Sequence, residues 1–136
     1  MLMFEIKTPR RVCTLDITPR VSQAVENIGL TEGAAMVYVP HTTAAVTINE
    51  GADFDVQRDI LTTISKLIPR GGDYSHLEGN ADAHIKSTLV GVSVLVPVSR
   101  GSLILGTWQK VFFCEFDGPR ARKFYVIGLP GLVKEQ

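Results

Sequence analysis

The chain has 136 residues, of which 45% are hydrophobic and 21% charged, a balance typical of a folded globular protein and not of a disordered or fibrous one. Its 14 lysine and arginine residues equal its 14 aspartate and glutamate residues, so the strong positive charge of many nucleic-acid-binding domains is absent. The length predicts a single domain over residues 1–136. A domain of this size buries roughly two thirds of its unfolded surface, so we expect it to fold without a disulfide or a metal.

Sequence features that bear on location and assembly point to a cytoplasmic protein. The N-terminal segment becomes charged at Glu5, too soon for a signal peptide. No apolar run approaches the roughly 20 residues that a membrane helix needs. Cys13 and Cys114 lie in apolar segments without CxxC spacing, which predicts two buried, reduced thiols. A net charge of zero gives little protection against self-association, which favours an oligomer.

The first third of the chain predicts strands around one helix. Thr18 and Pro19 together form a helix start, with Thr18 as N-cap and Pro19 at the first helical position. Apolar residues follow at helical spacing, and Gly29 can end the helix. The strands are predicted over 2–8, 11–17, 34–39 and 44–49.

The middle of the chain contains the clearest helical pattern, an apolar stripe over 53–68. Asp53 can cap this helix, and Pro69 stops it. Residues 70–80 form a polar loop with several glycines, and long loops in small domains are often functional.

A second, shorter helix is predicted over 81–90, capped by Asn80 or Asp82 and ended by Gly91. A strand-rich segment follows, with a tight turn at Ser99-Arg100-Gly101. Because helices are inserted among strands without regular alternation, the order predicts an α+β fold and not a doubly wound one. The remaining strands are predicted over 92–98, 102–105, 108–116 and 122–128.

The three histidines lie in or beside polar segments. His41 follows a strand end, His76 lies in the long loop, and His84 lies early in the short helix. Histidine suits metal binding and proton transfer near neutral pH, although a lone histidine is usually structural or exposed. No HExxH, CxxC or HxH pattern is present, so the spacing identifies no metal. The carboxylates close to the histidines in sequence are Glu50, Asp73, Glu78 and Asp82.

Three further segments are candidates for substrate contacts. The N-terminus of the helix near Asn80 is a candidate site for an anion such as phosphate. The alternative is an ordinary capped helix in which Lys86 is solvated. Trp108 can cover a flat heterocycle, and Gln109 can form hydrogen bonds with its edge. The alternative is that Trp108 lies in the core or in a subunit interface. Arg120 and Arg122 suit paired hydrogen bonds to phosphate, or they are solvated turn residues.

In order along the chain, these segments resemble the YjbQ-like family. The quoted motifs are His41-Thr-Thr-Ala-Ala, Asn49-Glu50, Asn80-Ala-Asp-Ala-His84, Gly101 followed by Gly106-Thr-Trp-Gln109, and Cys114-Glu-Phe-Asp-Gly-Pro-Arg120. The resemblance extends from about residue 10 to residue 129. It implies a β-sandwich of mostly antiparallel strands with two to three inserted helices, and a homotrimer.

The resemblance also implies a secondary thiamine-phosphate synthase activity, which joins hydroxymethylpyrimidine pyrophosphate to thiazole phosphate and releases pyrophosphate. Such chemistry needs positive charge for the leaving group, from Arg, Lys or a divalent cation. Alternatives are a metal-dependent hydrolase or transferase that acts on another phosphorylated metabolite, and a non-catalytic trimer that binds a metal or a small ligand.

Carried over by resemblance, the catalytic candidates are His41 and His84, which we expect to converge with Asp82 or Glu50 as partner. They would move protons or, with His76, bind a divalent metal such as Mg²⁺ or Zn²⁺. Arg120 and Lys86 are the candidates for phosphate contacts. The other substrate-binding candidates are Thr42, Asn80, Ser87 and Gln109.

Overall fold

The computed structural model describes residues 1–132, so residues 133–136 of the predicted domain lie outside the described part. Eight strands and three helices make up this part of the chain. The strands are β1 (Leu2–Lys7), β2 (Cys13–Asp16), β3 (Gly33–Tyr38), β4 (Ala44–Glu50), β5 (Ser93–Ser99), β6 (Ser102–Leu103), β7 (Gln109–Glu115) and β8 (Ala121–Pro130). The helices are α1 (Thr18–Ile28), α2 (Phe54–Leu67) and α3 (Ala81–Val90).

The strands form two antiparallel sheets that enclose one core. The larger sheet has the order β1-β8-β3-β5-β6 and the smaller the order β2-β7-β4. Val37 and Phe124 of the larger sheet and Val46 and Phe113 of the smaller sheet belong to the same buried cluster. The predicted α+β fold is therefore confirmed, and the alternating burial along β1 shows the two-residue period on which the strand predictions depend.

Helix α1 contributes Val21, Ala24 and Val25 to the core, and it ends at Gly29, which has a left-handed φ of 77°. Its predicted N-cap is wrong, because Ile17 occupies that position without a side-chain cap. The Thr18 hydroxyl instead accepts a hydrogen bond from the Val111 N–H at 2.8 Å. The threonine therefore ties the helix to β7 and does not close its own first turn.

Helix α2 begins as predicted, with the Asp53 side chain accepting a hydrogen bond from the Asp55 N–H, and it ends at Leu67 before Pro69. However, Gln57 is its single fully buried residue. Leu67, at the end of the predicted apolar stripe, is 71% exposed. The apolar stripe of α2 therefore lies over the outer face of the smaller sheet but is only partly buried against it.

Helix α3 ends at Gly91 as predicted, but neither predicted cap residue caps it. Asn80 occupies the N-cap position without a side-chain cap hydrogen bond, and its amide donates to Asp117 instead. Asp82 lies in the first turn, where it pairs with Arg11 and Lys86. Interactions with other segments have replaced local capping at this helix end.

The predicted turn at residues 99–101 and the two predicted buried thiols are also confirmed. Arg100 and Gly101, both with positive φ, form the two-residue hairpin turn between β5 and β6. Cys13 and Cys114 are buried and free, and burial raises the pKa of the Cys114 thiol to about 12. Within residues 1–132, no helix combines the length and the apolar character needed to cross a membrane.

Candidate functional site

Polar side chains gather at one end of the sandwich because antiparallel pairing brings several loops together there. Lys7 at the end of β1 lies opposite Ala121 at the start of β8, and Ala44 at the start of β4 lies opposite Glu115 at the end of β7. The N-terminus of α3 joins these loops through hydrogen bonds described below. We call this region the polar end; it comprises residues 8–12, 40–43, 80–87 and 115–123.

The centre of the polar end is a buried ion pair between Glu115 and Arg122. The guanidinium donates from Nη2 to Oε2 at 2.5 Å and from Nε to Oε1 at 2.9 Å. Thr8 donates to Glu115 at 2.6 Å, and Thr43 accepts from Arg122 at 2.8 Å. Burial alone would raise the pKa of Glu115, but the hydrogen bonds from Arg122 and Thr8 outweigh it and lower that pKa. Arg122 is therefore a structural cation, neither solvated nor free to bind phosphate.

A second buried cluster anchors α3. Lys86 Nζ lies 2.8 Å from Asp82 Oδ2, and Arg11 Nη2 lies 3.0 Å from Asp82 Oδ1. Burial alone would raise the pKa of Asp82, but hydrogen bonds from Arg11 and Lys86 outweigh it and hold the pKa below its ordinary value. Two cations thus face one carboxylate, which leaves a surplus positive charge beside the helix N-terminus.

These contacts change the roles predicted for three residues. Lys86 is 2% exposed and not solvated, and its ammonium group is directed at Asp82 and not at a phosphate-accessible surface. Asp82, with a lowered pKa, is an ionised anchor and is poorly suited to transfer protons near neutral pH. Ser87 is also buried and donates to the Ala44 carbonyl at 2.6 Å, so it joins α3 to β4.

The third cluster connects the α3 N-terminus to the β7–β8 loop. Asp117 accepts from Asn80 Nδ2 at 2.9 Å and from Arg120 Nη2 at 3.0 Å. Burial alone would raise the pKa of Asp117, but these two partners outweigh it and lower the pKa. The Arg120 side chain is 54% exposed. Its guanidinium is therefore held near the uncapped helix end while still facing solvent.

His41 lies at the edge of the polar end and is half-buried. Its Nε2 accepts a hydrogen bond from the Lys123 N–H at 2.9 Å. Burial, followed by the nearby Arg122 charge, lowers the pKa of His41. A neutral ring that accepts at Nε2 carries its proton on Nδ1, so His41 in this conformation offers no free lone pair to a metal. Thr42 beside it is exposed.

His76 and His84 contact each other and both line one open cavity of about 470 Å³. Their rings are edge to face, with centroids 5.2 Å apart, and His76 Nε2 lies 3.6 Å from Glu78 Oε2. The cavity lies between the long loop and the first turns of α3. Its lining residues are Asp73, Tyr74, Ser75, His76, Ala81, His84 and Ile85.

The structure therefore brings His76 to His84 but gives His41 different neighbours. Among residues 1–132 of one chain, no three His, Cys, Asp or Glu side chains are arranged to hold a metal ion. The predicted set of His41, His76 and His84 does not fit a metal centre within a single chain.

Glu50 and Gln109 lie at the opposite end of the smaller sheet. They are paired across β4 and β7, and a seven-residue strand separates them from the His41 end by about 20 Å. Glu50 accepts from the Asp53 N–H at 3.0 Å, and Gln109 accepts from the Gly106 N–H at 2.8 Å. The predicted pairing of Glu50 with His41 or His84 is thus not formed within one chain. Trp108, 63% exposed, is not a core residue.

Four residues of this site were not predicted from the sequence: Arg11, Thr43, Glu115 and Asp117. They lie in segments with the pattern of strand ends and turns. The adjacent charged residues of Glu115-Phe-Asp-Gly-Pro-Arg120, placed directly after an apolar strand, were the available signal.

Comparison with known proteins identifies the family. The family model described as "UPF0047 protein YjbQ-like" matches residues 3–129. The chain belongs to this family. It is 51% identical over 126 residues to the UPF0047 protein MJ1081 of Methanocaldococcus jannaschii, covering 93% of this chain and 91% of that protein. It is 50% identical over 123 residues to the UPF0047 protein YugU of Bacillus subtilis, covering 90% and 93% respectively.

Solved structures of YjbQ-like proteins have the same fold. The crystal structure of an uncharacterized conserved protein of the yjbq/upf0047 family from Clostridium acetobutylicum matches with a TM-score of 0.93 and 48% identity, over 95% of this chain and 100% of that chain. A YbjQ-like protein of unknown function from Sulfolobus solfataricus matches with a TM-score of 0.88 and 36% identity, over 91% of each chain.

Proposed function

We propose that the polar end binds a phosphorylated small molecule and that the protein is a transferase of the secondary thiamine-phosphate synthase type. The observation that carries this proposal is the open N-terminus of α3. Because the Asn80 amide is directed to Asp117, no side chain caps the helix. The Ala83 N–H donates to the Asn80 carbonyl at 3.0 Å, so the N–H groups of Ala81 and Asp82 are the ones left to a ligand. Such groups favour an anion.

The charges around this helix end support a phosphate or pyrophosphate ligand. Arg11 and Lys86 together exceed the single charge of Asp82 beneath the first turn. Arg120 Nε and Nη2 donate to the Asp117 carbonyl and carboxylate, and the remaining N–H groups of this exposed guanidinium suit hydrogen bonds to phosphate oxygens. We therefore assign phosphate binding to Arg120 and the α3 N–H groups, with Arg11 and Lys86 acting through their field.

The cavity that His76 and His84 line is the natural place for the organic part of the substrate. Its volume of about 470 Å³ lies within the usual range for small-molecule sites. Tyr74 and the two imidazole rings offer flat surfaces for a heterocycle. Ala81 and His84, in the first turns of α3, both line this cavity, so it adjoins the proposed phosphate position.

In the proposed reaction, the thiazole nitrogen attacks the methylene carbon of hydroxymethylpyrimidine pyrophosphate. The new C–N bond replaces the C–O bond to pyrophosphate, and the electron pair of that bond leaves with pyrophosphate. No net proton transfer is needed. The protein's task is to hold the two reactants in line and to stabilise the departing charge, and no step is assigned to a metal.

Purified protein should release pyrophosphate and form thiamine phosphate only when both precursors are present. Arg120→Met should reduce turnover at least tenfold and weaken pyrophosphate binding in calorimetry. Arg70→Met, which changes an exposed arginine in the long loop, is the matched control. Tight pyrophosphate binding without turnover would identify a binding protein, and equal activity of both variants would remove Arg120 from the site.

We also propose that the protein is a homotrimer, as the family resemblance implies. The outer face of the larger sheet supports self-association because it exposes large apolar side chains on three of its strands, β1, β3 and β5. Met3 is 47% exposed, Tyr38 42% and Leu95 60%. Extended apolar patches of this kind usually mark interaction surfaces.

A further inference from the structure

Helix α2 leaves a cleft between itself and the outer face of the smaller sheet. Three cavities lie along it, of about 340, 400 and 290 Å³. Thr14 on β2 and Gln57 on α2 line all three, so the cavities meet at this pair. We call this space the α2 cleft; its central lining residues are Thr14, Gln57, Leu61, Cys114 and Phe116.

Gln57 presents a buried acceptor to this cleft. The residue is 7% exposed, and its Nε2 donates to the Glu50 carbonyl at 3.1 Å. Its Oε1 is buried and has no hydrogen-bond partner within the described residues. An unsatisfied buried polar atom is costly and rare in native proteins. We therefore expect Gln57 Oε1 to accept a hydrogen bond from a donor outside the chain.

The walls around Gln57 determine what kind of donor fits. Leu61 on α2, and Cys114 and Phe116 at the end of β7, give the cleft apolar walls on both sides. The Cys114 thiol is neutral because burial raises its pKa to about 12. Thr14 adds a hydroxyl near the centre. Charged side chains occur at the mouths, for example Asp16 and Arg58, so the interior suits an uncharged ligand.

An aromatic side chain stands at the entrance. Phe54, the first residue of α2, is 93% exposed and borders two of the three cavities. Because its ring is so exposed, Phe54 is free to stack against a flat ring of a ligand. The largest cavity of the three, about 400 Å³, lies in the range that holds small organic ligands.

We propose that the α2 cleft is a second binding site, which takes a small, flat, uncharged aromatic or heteroaromatic molecule that donates an N–H or O–H group to Gln57 Oε1. The site is independent of the function proposed for the polar end. It lies against the outer face of the smaller sheet, whereas the proposed trimer surface is the outer face of the larger sheet.

Nuclear magnetic resonance titration of the whole protein tests this site with matched probes. Indole and benzimidazole carry an N–H donor, and indene has nearly the same shape as indole without one. The two donors should saturably shift the amide signals of Thr14, Gln57 and Cys114. Indole should bind about tenfold more tightly than indene, since a hydrogen bond to a buried acceptor is worth about one order of magnitude.

The variant Gln57→Met keeps the side-chain length and removes the acceptor. It should weaken indole binding about tenfold and remove the preference for indole over indene. Gln23→Met, on the exposed face of α1, is the control and should change neither affinity. The comparison of indole with indene in the unaltered protein remains decisive if Gln57→Met does not fold. Equal affinities of the two probes, shifts confined to other regions, or no saturable shift with either donor would overturn the proposal.

Discussion

Lys86 Nζ lies 2.8 Å from Asp82 Oδ2, and the two side chains are 2% and 0% exposed. They are four residues apart on α3, so the ion pair spans about one turn of the helix. Arg11, from the β1–β2 loop, reaches the other oxygen of the same carboxylate at 3.0 Å. One aspartate thus joins the helix that carries His84 to a loop of the sandwich.

The variant Lys86→Met should destabilise the protein by about 3 kcal/mol, because removal of one partner from a buried pair leaves a buried charge less well compensated. Arg11 remains beside Asp82, so we expect the lower end of the usual range. Urea unfolding at pH 7 measures the change. Lys66→Met, on an exposed position of α2, should change the free energy of unfolding by less than about 0.5 kcal/mol. Equal effects of the two substitutions would show that the buried pair has no special role.

The stability of the protein should fall in acid because Glu115 and Asp82 have lowered pKa values in the folded chain. A carboxylate with a lowered folded pKa stabilises the protein above its unfolded pKa, and this contribution is lost as the pH falls through the folded value. The free energy of unfolding should therefore decrease below about pH 4.5, the ordinary range for these side chains.

The variant Glu115→Gln tests the origin of this loss. Its stability should be lower than that of the unaltered protein at pH 7 and should depend less on pH between pH 5 and pH 3. Glu26→Gln, exposed on α1, should leave the pH profile unchanged. A profile of Glu115→Gln as steep as that of the unaltered protein would contradict the assignment.

Sequence patterns predicted the strands and helices well because burial and local capping act over a few residues. The alternation along β1, the Asp53 cap of α2 and Gly29 at the end of α1 are such local features. The wrong predictions concern residues whose side chains bond to distant parts of the chain. Thr18 and Asn80 are good cap residues whose side chains bond to Val111 and Asp117, more than 30 residues away.

The candidate site was predicted less completely, since it is formed by contacts between distant segments. The histidines were identified by residue type, but spacing along the chain did not indicate that His84 faces His76 and that His41 bonds to Lys123. Likewise, Lys86 has the pattern of an exposed helical lysine. Its burial depends on the packing of α3 against β4 and on the ion pair with the buried Asp82, and the local sequence does not show that this face of the helix is covered.

His41 should titrate below the ordinary histidine pKa of about 6.5, because burial and the nearby Arg122 charge both disfavour its protonated form. The stability due to the neutral ring is complete above the unfolded pKa and is lost as the pH falls through the folded one. The C2 proton signal of His41, assigned with His41→Gln, gives the midpoint directly. The same signal in denaturing urea is the control. A folded midpoint at or above the urea value would contradict the structure.

The substitution Leu95→Lys should dissociate the proposed trimer. Leu95 lies on the outer face of the larger sheet, opposite Met36 on β3, and a lysine there would have to be buried without a partner in the assembly. Light scattering after size-exclusion chromatography should give three times the chain mass for the unaltered protein and one chain mass for the variant. Leu67→Lys, at an exposed position at the end of α2, should remain trimeric. A monomeric unaltered protein would remove the proposal, and dissociation by Leu67→Lys alone would place the interface at α2 instead.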